Sequence, residues 1–323
     1  MHSRTQCGIA TALLSVMLLV ATRPVAASLT TSAPSVTVAN ARVGLSDFPD
    51  PFVLSANGRY YAYATNVGSA HVPIRVSADL VHWKASADAL PRLPDWARTS
   101  NLTWAPSVRR VGRKFLMYLT VFDNRRGTHC IAIATSKHAA GPFTLAAAPL
   151  VCGSGAIDAS PFQAADGSLW LTWKSEARSA TSTGIVSQRL STDGTHLVGK
   201  MAVLISPTLI WEDGVVEGPS MIYRNGFYML FYAASDWTSD HYATGLAVCV
   251  SAQGPCVKSS APVLASTSTR ISPGGLTAFN ARGAMYVAFH VWRDGIGYPW
   301  GKRCLVVARV VFDRGTLRFE PVE

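Results

Sequence analysis

One pattern recurs five times along this chain and sets narrow limits on its fold. A small-residue or Pro turn opens a short apolar strand, a Gly-containing turn follows, and an aromatic-rich strand comes next. The copies read Asp50-Pro-Phe-Val-Leu with Asn57-Gly-Arg-Tyr-Tyr-Ala-Tyr, Trp104-Ala-Pro-Ser-Val with Gly112-Arg-Lys-Phe-Leu-Met-Tyr, and Asp158-Ala-Ser-Pro-Phe with Asp166-Gly-Ser-Leu-Trp-Leu-Thr-Trp. The last two read Glu217-Gly-Pro-Ser-Met with Asn225-Gly-Phe-Tyr-Met-Leu-Phe-Tyr, and Gly274-Gly-Leu-Thr-Ala-Phe with Arg282-Gly-Ala-Met-Tyr-Val-Ala-Phe-His. The starts at 50, 104, 158, 217 and 274 lie 54, 54, 59 and 57 residues apart. Each interval accommodates about four strands of five or six residues with their turns, the size of one propeller blade. No stretch of about 15 residues carries a sustained helical stripe. The sequence therefore predicts an all-β fold, a five-bladed β-propeller over 42–323, in place of the two domains that 323 residues would permit. Its 49% hydrophobic content suits blades that must bury both faces against neighbours.

The N-terminus reads as an export signal. His2 and Arg4 precede an apolar run from Ile9 to Val20, and Val25-Ala26-Ala27 offers small residues for cleavage. The run falls short of a membrane span, so 1–27 is expected to be a signal peptide, 28–41 a flexible leader, and the mature protein secreted and off the membrane. Removing 27 of 323 residues leaves 296, and losing Arg4 and Arg23 takes the formal charge from +10 to +8. No run of five or six basic residues exists, so the excess charge does not point to nucleic acid. Five cysteines remain in an oxidising compartment. Cys249 and Cys256 flank a turn-rich loop, Cys130 and Cys152 form the next candidate pair, and Cys304 is left over. Spacing alone does not fix this connectivity. No C-x-x-C or H-x-x-x-H cluster marks a zinc site.

In a propeller the first strand of each blade lines the central channel, so equivalent strand starts converge at one mouth. Three of the five starts are carboxylates, Asp50, Asp158 and Glu217, in a chain with only 19 acidic residues. Gathering like charges costs energy, which a fold tolerates mainly where they act. Converging carboxylates beside aromatic faces in an exported protein suggest glycoside hydrolysis, which needs an acid for the leaving oxygen and a second carboxylate for water or the anomeric carbon.

The chain resembles glycoside hydrolase family 43, the five-bladed arabinanases, arabinofuranosidases and β-xylosidases. The resemblance rests on Asp47-Phe-Pro-Asp-Pro-Phe-Val, Ser77-Ala-Asp-Leu-Val-His-Trp83, Trp104-Ala-Pro, and Ala134-Thr-Ser-Lys-His-Ala-Ala-Gly-Pro-Phe143. It continues through Gly155-Ala-Ile-Asp-Ala-Ser-Pro-Phe162, Val216-Glu-Gly-Pro-Ser220, Gly254-Pro-Cys256 and Phe289-His-Val-Trp292, in order across the mature chain. It implies an inverting hydrolase with Asp50 as general base, Glu217 as general acid and Asp158 as the group that tunes and orients the acid. The two working carboxylates are then expected about 6.5–9.5 Å apart. Glu217 is expected to keep its proton near neutral pH, and Asp50 to stay ionised. Trp104 is expected to stack on a sugar face, with Phe48 a weaker candidate for the pocket. Asp47 is read as a turn residue or a ligand, and Glu212 and Asp213 as a solvated loop. The resemblance also suggests His290 near the axis, facing water or a cation, although Ser272-Pro-Gly-Gly275 lacks the histidine that many members carry there. No cofactor is required; an axial calcium or other cation held by His290 alone with waters would bind weakly. The expected partner is a poly- or oligosaccharide, cleaved by a monomer at arabinofuranosyl or xylosyl linkages. The chain's end just after blade five favours arabinan-type substrates. The alternatives are a sugar-binding propeller without catalysis and a retaining fructosidase-type enzyme, whose Asn-Asp-Pro-Asn-Gly and Arg-Asp-Pro patterns are absent.

Overall fold

The computed structural model describes residues 43–98, 102–176, 183–224, 226–313 and 316–322. The expected signal, 1–27, and leader, 28–41, lie outside the described residues. Strand β1 (Val43–Asp47) precedes a first blade of β2 (Phe52–Ala56), β3 (Arg59–Tyr63), β4 (Ile74–Ser77) and β5 (Lys84–Ala85). Blade two is β6 (Thr103–Val111), β7 (Lys114–Asp123), β8 (Thr128–Ser136) and β9 (Thr144–Leu145). Blade three is β10 (Ala156–Gln163), β11 (Leu169–Glu176), β12 (Thr183–Leu190) and β13 (Leu197–Ile205). Blade four is β14 (Val216–Arg224), β15 (Phe227–Ala234), β16 (Ala243–Cys249) and β17 (Cys256–Lys258). Blade five is β18 (Ile271–Ala281), β19 (Ala284–Arg293) and β20 (Lys302–Asp313). Two chain segments edge β20: β1 pairs near Cys304–Val306, and β21 (Thr316–Pro321) pairs along Ala308–Asp313. The fold is the expected five-bladed β-propeller, and β1 completes its last blade.

Local sequence explains each blade. Inner hairpins turn at Asn57-Gly58 and Arg282-Gly283, where both residues are left-handed, as a two-residue turn matched to strand twist requires. Of the aromatic-rich second strands, β7, β15 and β19 are almost wholly buried, while β3 and β11 are buried at their centres. Side chains cluster into five cores, one per blade interface. Tyr63 and Phe115 join blades one and two, Leu116 and Trp173 blades two and three, and Phe162 and Tyr232 blades three and four. Phe231 and Phe289 join blades four and five, while Val53 and Phe279 close five onto one. Each large buried side chain contributes about 1.5–3 kcal/mol, so the interfaces hold the ring. First strands contact one another around it: β2 with β6, β6 with β10, β10 with β14, β14 with β18, and β18 with β2. Disulfides join Cys130–Cys152 and Cys249–Cys256, and Cys304 is free and buried. Among the described residues no helix is long and apolar enough to cross a membrane.

Candidate functional site

The inner strands share one irregularity at the same end of the ring. Their pairing shifts between Trp104 and Ser107, Ile157 and Ser160, Glu217 and Ser220, and Gly274 and Thr277. Inside each of these four bulges one residue is left-handed, Ala105, Asp158, Gly218 and Gly275, with φ of 43°, 60°, 55° and 58°, and Asp50, at the entrance to β2, is left-handed likewise at 49°. A non-Gly residue at positive φ is strained and needs support. The preceding blade supplies it by accepting the bulge N–H. Asp50 N–H donates to His290 Nδ1 (3.1 Å), Ala105 N–H to Thr65 Oγ1 (2.9 Å), and Asp158 N–H to Thr120 Oγ1 (3.0 Å). Gly218 N–H donates to Asp158 Oδ2 (3.0 Å). The register corrects the equivalence read from sequence. Asp50 and Asp158 take the left-handed position, whereas Trp104, Glu217 and Gly274 stand one residue before it. The sequence frame slipped because the Pro that marks each strand start follows at different offsets, directly after Asp50, two residues after Glu217 and three after Asp158.

The three carboxylates nonetheless line one cavity of about 610 Å³, with Trp104, Trp237, Tyr242, Tyr298 and Arg303. Their environments differ. Asp50 lies against Arg303, whose Nη1 is 3.2 Å from both carboxylate oxygens, and accepts the Thr65 hydroxyl at 2.6 Å. Burial alone would raise its pKa, but the Arg303 charge and these hydrogen bonds hold it below the usual carboxylate value. Asp158 has no cation of its own. Burial first, then the neighbouring Glu217, push it up to about 7, against the pull of Lys174. Glu217 is bound on both oxygens: Lys174 Nζ donates to Oε2 (3.0 Å) and the Tyr242 hydroxyl to Oε1 (2.9 Å). The carboxyl with the raised pKa is thus Asp158, the residue expected to tune the acid.

Two glycines make room. A Cβ on Gly274 would lie 2.0 Å from the Tyr242 ring, and one on Gly275 would lie 2.8 Å from His290 Nδ1 and 2.9 Å from Asp50 Oδ1. The Gly-Gly pair lets the tyrosine and the Asp50 carboxylate approach the axis, which no larger residue would allow.

The other sequence candidates divide. Trp104 lines the cavity, its ring 4.0 Å from that of His129. Phe48 is not a pocket residue: it is 1% exposed and packs in the core, with the Arg75 guanidinium 4.3 Å over its ring. Asp47 lines the cavity while accepting from the Tyr298 hydroxyl (2.9 Å) and the Arg303 N–H (2.8 Å). Glu212 is not on a solvated loop; it is fully buried and accepts from Lys258, Tyr232 and the N–H groups of Thr208 and Leu209. His290 is fully buried beside Asp50, and burial lowers its pKa to about 3, so the ring is neutral. With Nδ1 accepting from the Asp50 N–H, the proton sits on Nε2, which has no partner among the described residues. A nitrogen that carries a proton suits a water or carbonyl acceptor and not a cation, so the imidazole does not fit the axial metal raised from sequence. Among the described residues the one group of three closely placed ligating side chains is Asp123, Cys130 and Cys152, and its cysteines form a disulfide.

Sequence reasoning missed Arg303, Lys174, Tyr242, Thr65 and Trp237. A signal for some was present: Thr65, Thr120, Lys174, Ala233 and His290 are one register position of the five second strands, and four of the five carry a polar side chain.

Asp158 gives a pH test of this electrostatics. Its folded pKa lies near 7, above the ordinary 3.8, so between those values the unfolded chain releases a proton that the folded chain keeps. Rising pH through this window therefore favours unfolding. Calorimetry of wild type and Asp158→Asn at pH 4, 5.5 and 7 should show the wild type losing ground to the variant as pH rises. Asp50 acts in the opposite sense but is common to both. Melting curves that track in parallel would refute the raised pKa.

Unlike carboxylates beside aromatic faces at a propeller mouth make a site suited to acid–base chemistry on a polar ring-shaped ligand. The chain belongs to glycosyl hydrolases family 43, matched over residues 43–317. It is 27% identical to the β-D-galactofuranosidase xynD of Aspergillus niger, over 79% of this chain and 78% of that protein. Xylosidase/arabinosidase 43B of Humicola insolens is 28% identical over 61% of this chain, which spans 37% of that longer relative. Among solved structures, a thermostable family-43 glycoside hydrolase superposes with a TM-score of 0.77 at 29% identity, covering 88% of this chain and 96% of the other.

Proposed function

We propose that the protein hydrolyses arabinofuranosyl or xylosyl linkages in plant-type or cell-wall polysaccharides by a single displacement that inverts the anomeric carbon. Asp50, kept ionised by Arg303, takes a proton from the attacking water. Glu217 gives its proton to the leaving oxygen as the glycosidic bond breaks, and is left as an anion facing Lys174. Asp158 tunes and orients Glu217. The observation that carries this reading is three carboxylates in one cavity with three different partners: Asp50 against the Arg303 guanidinium, Glu217 between the Lys174 ammonium and the Tyr242 hydroxyl, and Asp158 with its pKa raised to about 7 by burial and the neighbouring Glu217, so that it holds a proton beside the acid. Trp104 on one side, with Trp237 and Tyr298 on another, offers faces for sugar rings. Family relatives include xylosidase/arabinosidase and β-D-galactofuranosidase activities, so the sugar is a pentosyl or furanosyl unit in this reading. Export fits the two disulfides, which persist in oxidising compartments.

A panel of 4-nitrophenyl furanosides and xylosides, with linear arabinan and xylan, tests the activity. Proton NMR of the nascent sugar tests the stereochemistry. Turnover of at least one member with an inverted first product is expected, together with loss of turnover in Glu217→Gln while ligand binding persists. A retained anomer would move the protein to a double-displacement mechanism. Sugar binding without any turnover would make it a lectin-like propeller.

A further inference from the structure

Lys174 departs from a contact made in three of the five blades, and unlike Ala233, the other exception, it carries a charge. Its position on the second strand is that of Thr65, Thr120 and His290, whose side chains each accept the bulge N–H of the next blade. An ammonium has no acceptor. The Gly218 N–H accordingly turns to Asp158 instead, and the lysine reaches Glu217. A residue that gives up a repeated structural contact to place a cation in a carboxylate cluster is poorly explained by the fold alone.

We propose that Lys174 is a positioning residue for the acid: its ammonium fixes the direction of the Glu217 carboxyl and limits the protons the carboxylate cluster holds. This rests on the hydrolase reading above. Lys174 does not line the cavity, so it acts through Glu217 from behind. Its Nζ is 3.0 Å from Glu217 Oε2 and 3.8 Å from Glu176 Oε1, with the side chain mostly buried. Glu176 is seated by Gly155, where a Cβ would lie 2.7 Å from Glu176 Oε2. The charged and titratable groups around Lys174 are Glu217 from β14, Asp158 from β10, Glu176 from its own strand and the Tyr242 hydroxyl on the other Glu217 oxygen. Three carboxyls therefore face one ammonium. Without it the cluster would take up a further proton, and the Glu217 carboxyl would be free to turn about Tyr242. In the reaction, the ammonium stabilises the Glu217 anion that forms when the leaving oxygen is protonated.

The test uses Lys174→Met and Lys174→Arg in the full chain, with two readouts. The first is the pH dependence of kcat/KM on the best aryl glycoside. The alkaline limb of Lys174→Met should move upward by roughly one to three pH units, the scale for loss of an adjacent opposite charge, with kcat falling more than KM rises. Lys174→Arg should restore most of the limb's position. The second is a carbon-13 carboxyl titration of Asp158 in the unliganded protein, which needs no activity and should shift upward in Lys174→Met. A melting temperature that falls while both the limb and the Asp158 titration stay in place would make Lys174 a structural lysine and overturn the proposal. A wild type inactive on every glycoside would instead fail the hydrolase reading, and the carboxyl titration would still decide whether Lys174 governs the cluster.

Discussion

Asp50→Asn is expected to lower kcat on an aryl furanoside or xyloside by roughly a hundred- to ten-thousand-fold, the usual contribution of a positioned general base, with far less change in KM. The amide keeps the size of the side chain and can still accept the Thr65 hydroxyl, so the bulge stays supported through its N–H to His290. What disappears is the anion that Arg303 holds ready. Arg303 keeps the Tyr298 hydroxyl at 3.3 Å and its place over the Trp237 ring at 4.8 Å. A modest fall in melting temperature accompanies the activity loss, larger near neutral pH than in acid, because a carboxyl with a lowered pKa stabilises the fold above its ordinary value and loses that effect as pH falls through the folded one. Asp50→Ala opens space for a small anion. Azide should then restore turnover and give a glycosyl azide of inverted configuration. Activity of Asp50→Asn within tenfold of wild type would remove Asp50 from the base role.

The second large effect is on stability. Glu212→Ala is expected to cost about 3–5 kcal/mol, the scale for breaking a buried ion pair by removing one partner. The carboxylate lies 2.7 Å from Lys258 Nζ on both oxygens, accepts the Tyr232 hydroxyl at 2.9 Å, and takes the N–H groups of Thr208 and Leu209. Its own carbonyl accepts from Val215 and Ser235. One residue thus ties the turn that leads into β14, five positions before Glu217, to blade four's second and outer strands. A melting temperature lower by on the order of 10 °C is expected for a domain of this size. The double variant Glu212→Gln with Lys258→Met should recover part of the loss, since it removes the stranded cation along with its partner. A change under 1 kcal/mol in Glu212→Ala would show that the network adds nothing net.

The fold was legible because each blade repeats its own local signals. Strand starts, Gly turns and aromatic second strands return at intervals of 54 to 59 residues, and no distant contact is needed to see them. Asp50, Asp158 and Glu217 were legible on the same ground, although the true register sets Glu217 one residue out of line. The rest of the site was opaque for a physical reason. Lys174 sits in Leu-Thr-Trp-Lys-Ser-Glu, which reads as a strand with a solvated lysine, and only the ring turns it towards a residue 43 positions away. Arg303 opens a strand in the last blade and meets Asp50 across 253 positions. Phe48 misled because adjacency to Asp50 in sequence says nothing about which side of the strand entrance it takes; it turned into the core beneath Arg75. Glu212 misled because an acidic pair before a glycine has the look of a surface turn, and the cation that buries it lies 46 positions on.

The closure of the ring by β1 against β20 has a consequence for the order of events during synthesis. Asp50 leaves the ribosome early, yet the imidazole that accepts its backbone N–H and the guanidinium that ionises it follow 240 and 253 positions later. At roughly 5–20 residues per second, that is a delay of about 13–50 s. Asp158 and Glu217 can meet as soon as blades three and four are made, but the Asp50 carboxylate lacks its guanidinium until the final blade arrives and β1 pairs with β20. A nascent or truncated propeller would lack the blade-five wall of the cavity as well as the partners of Asp50.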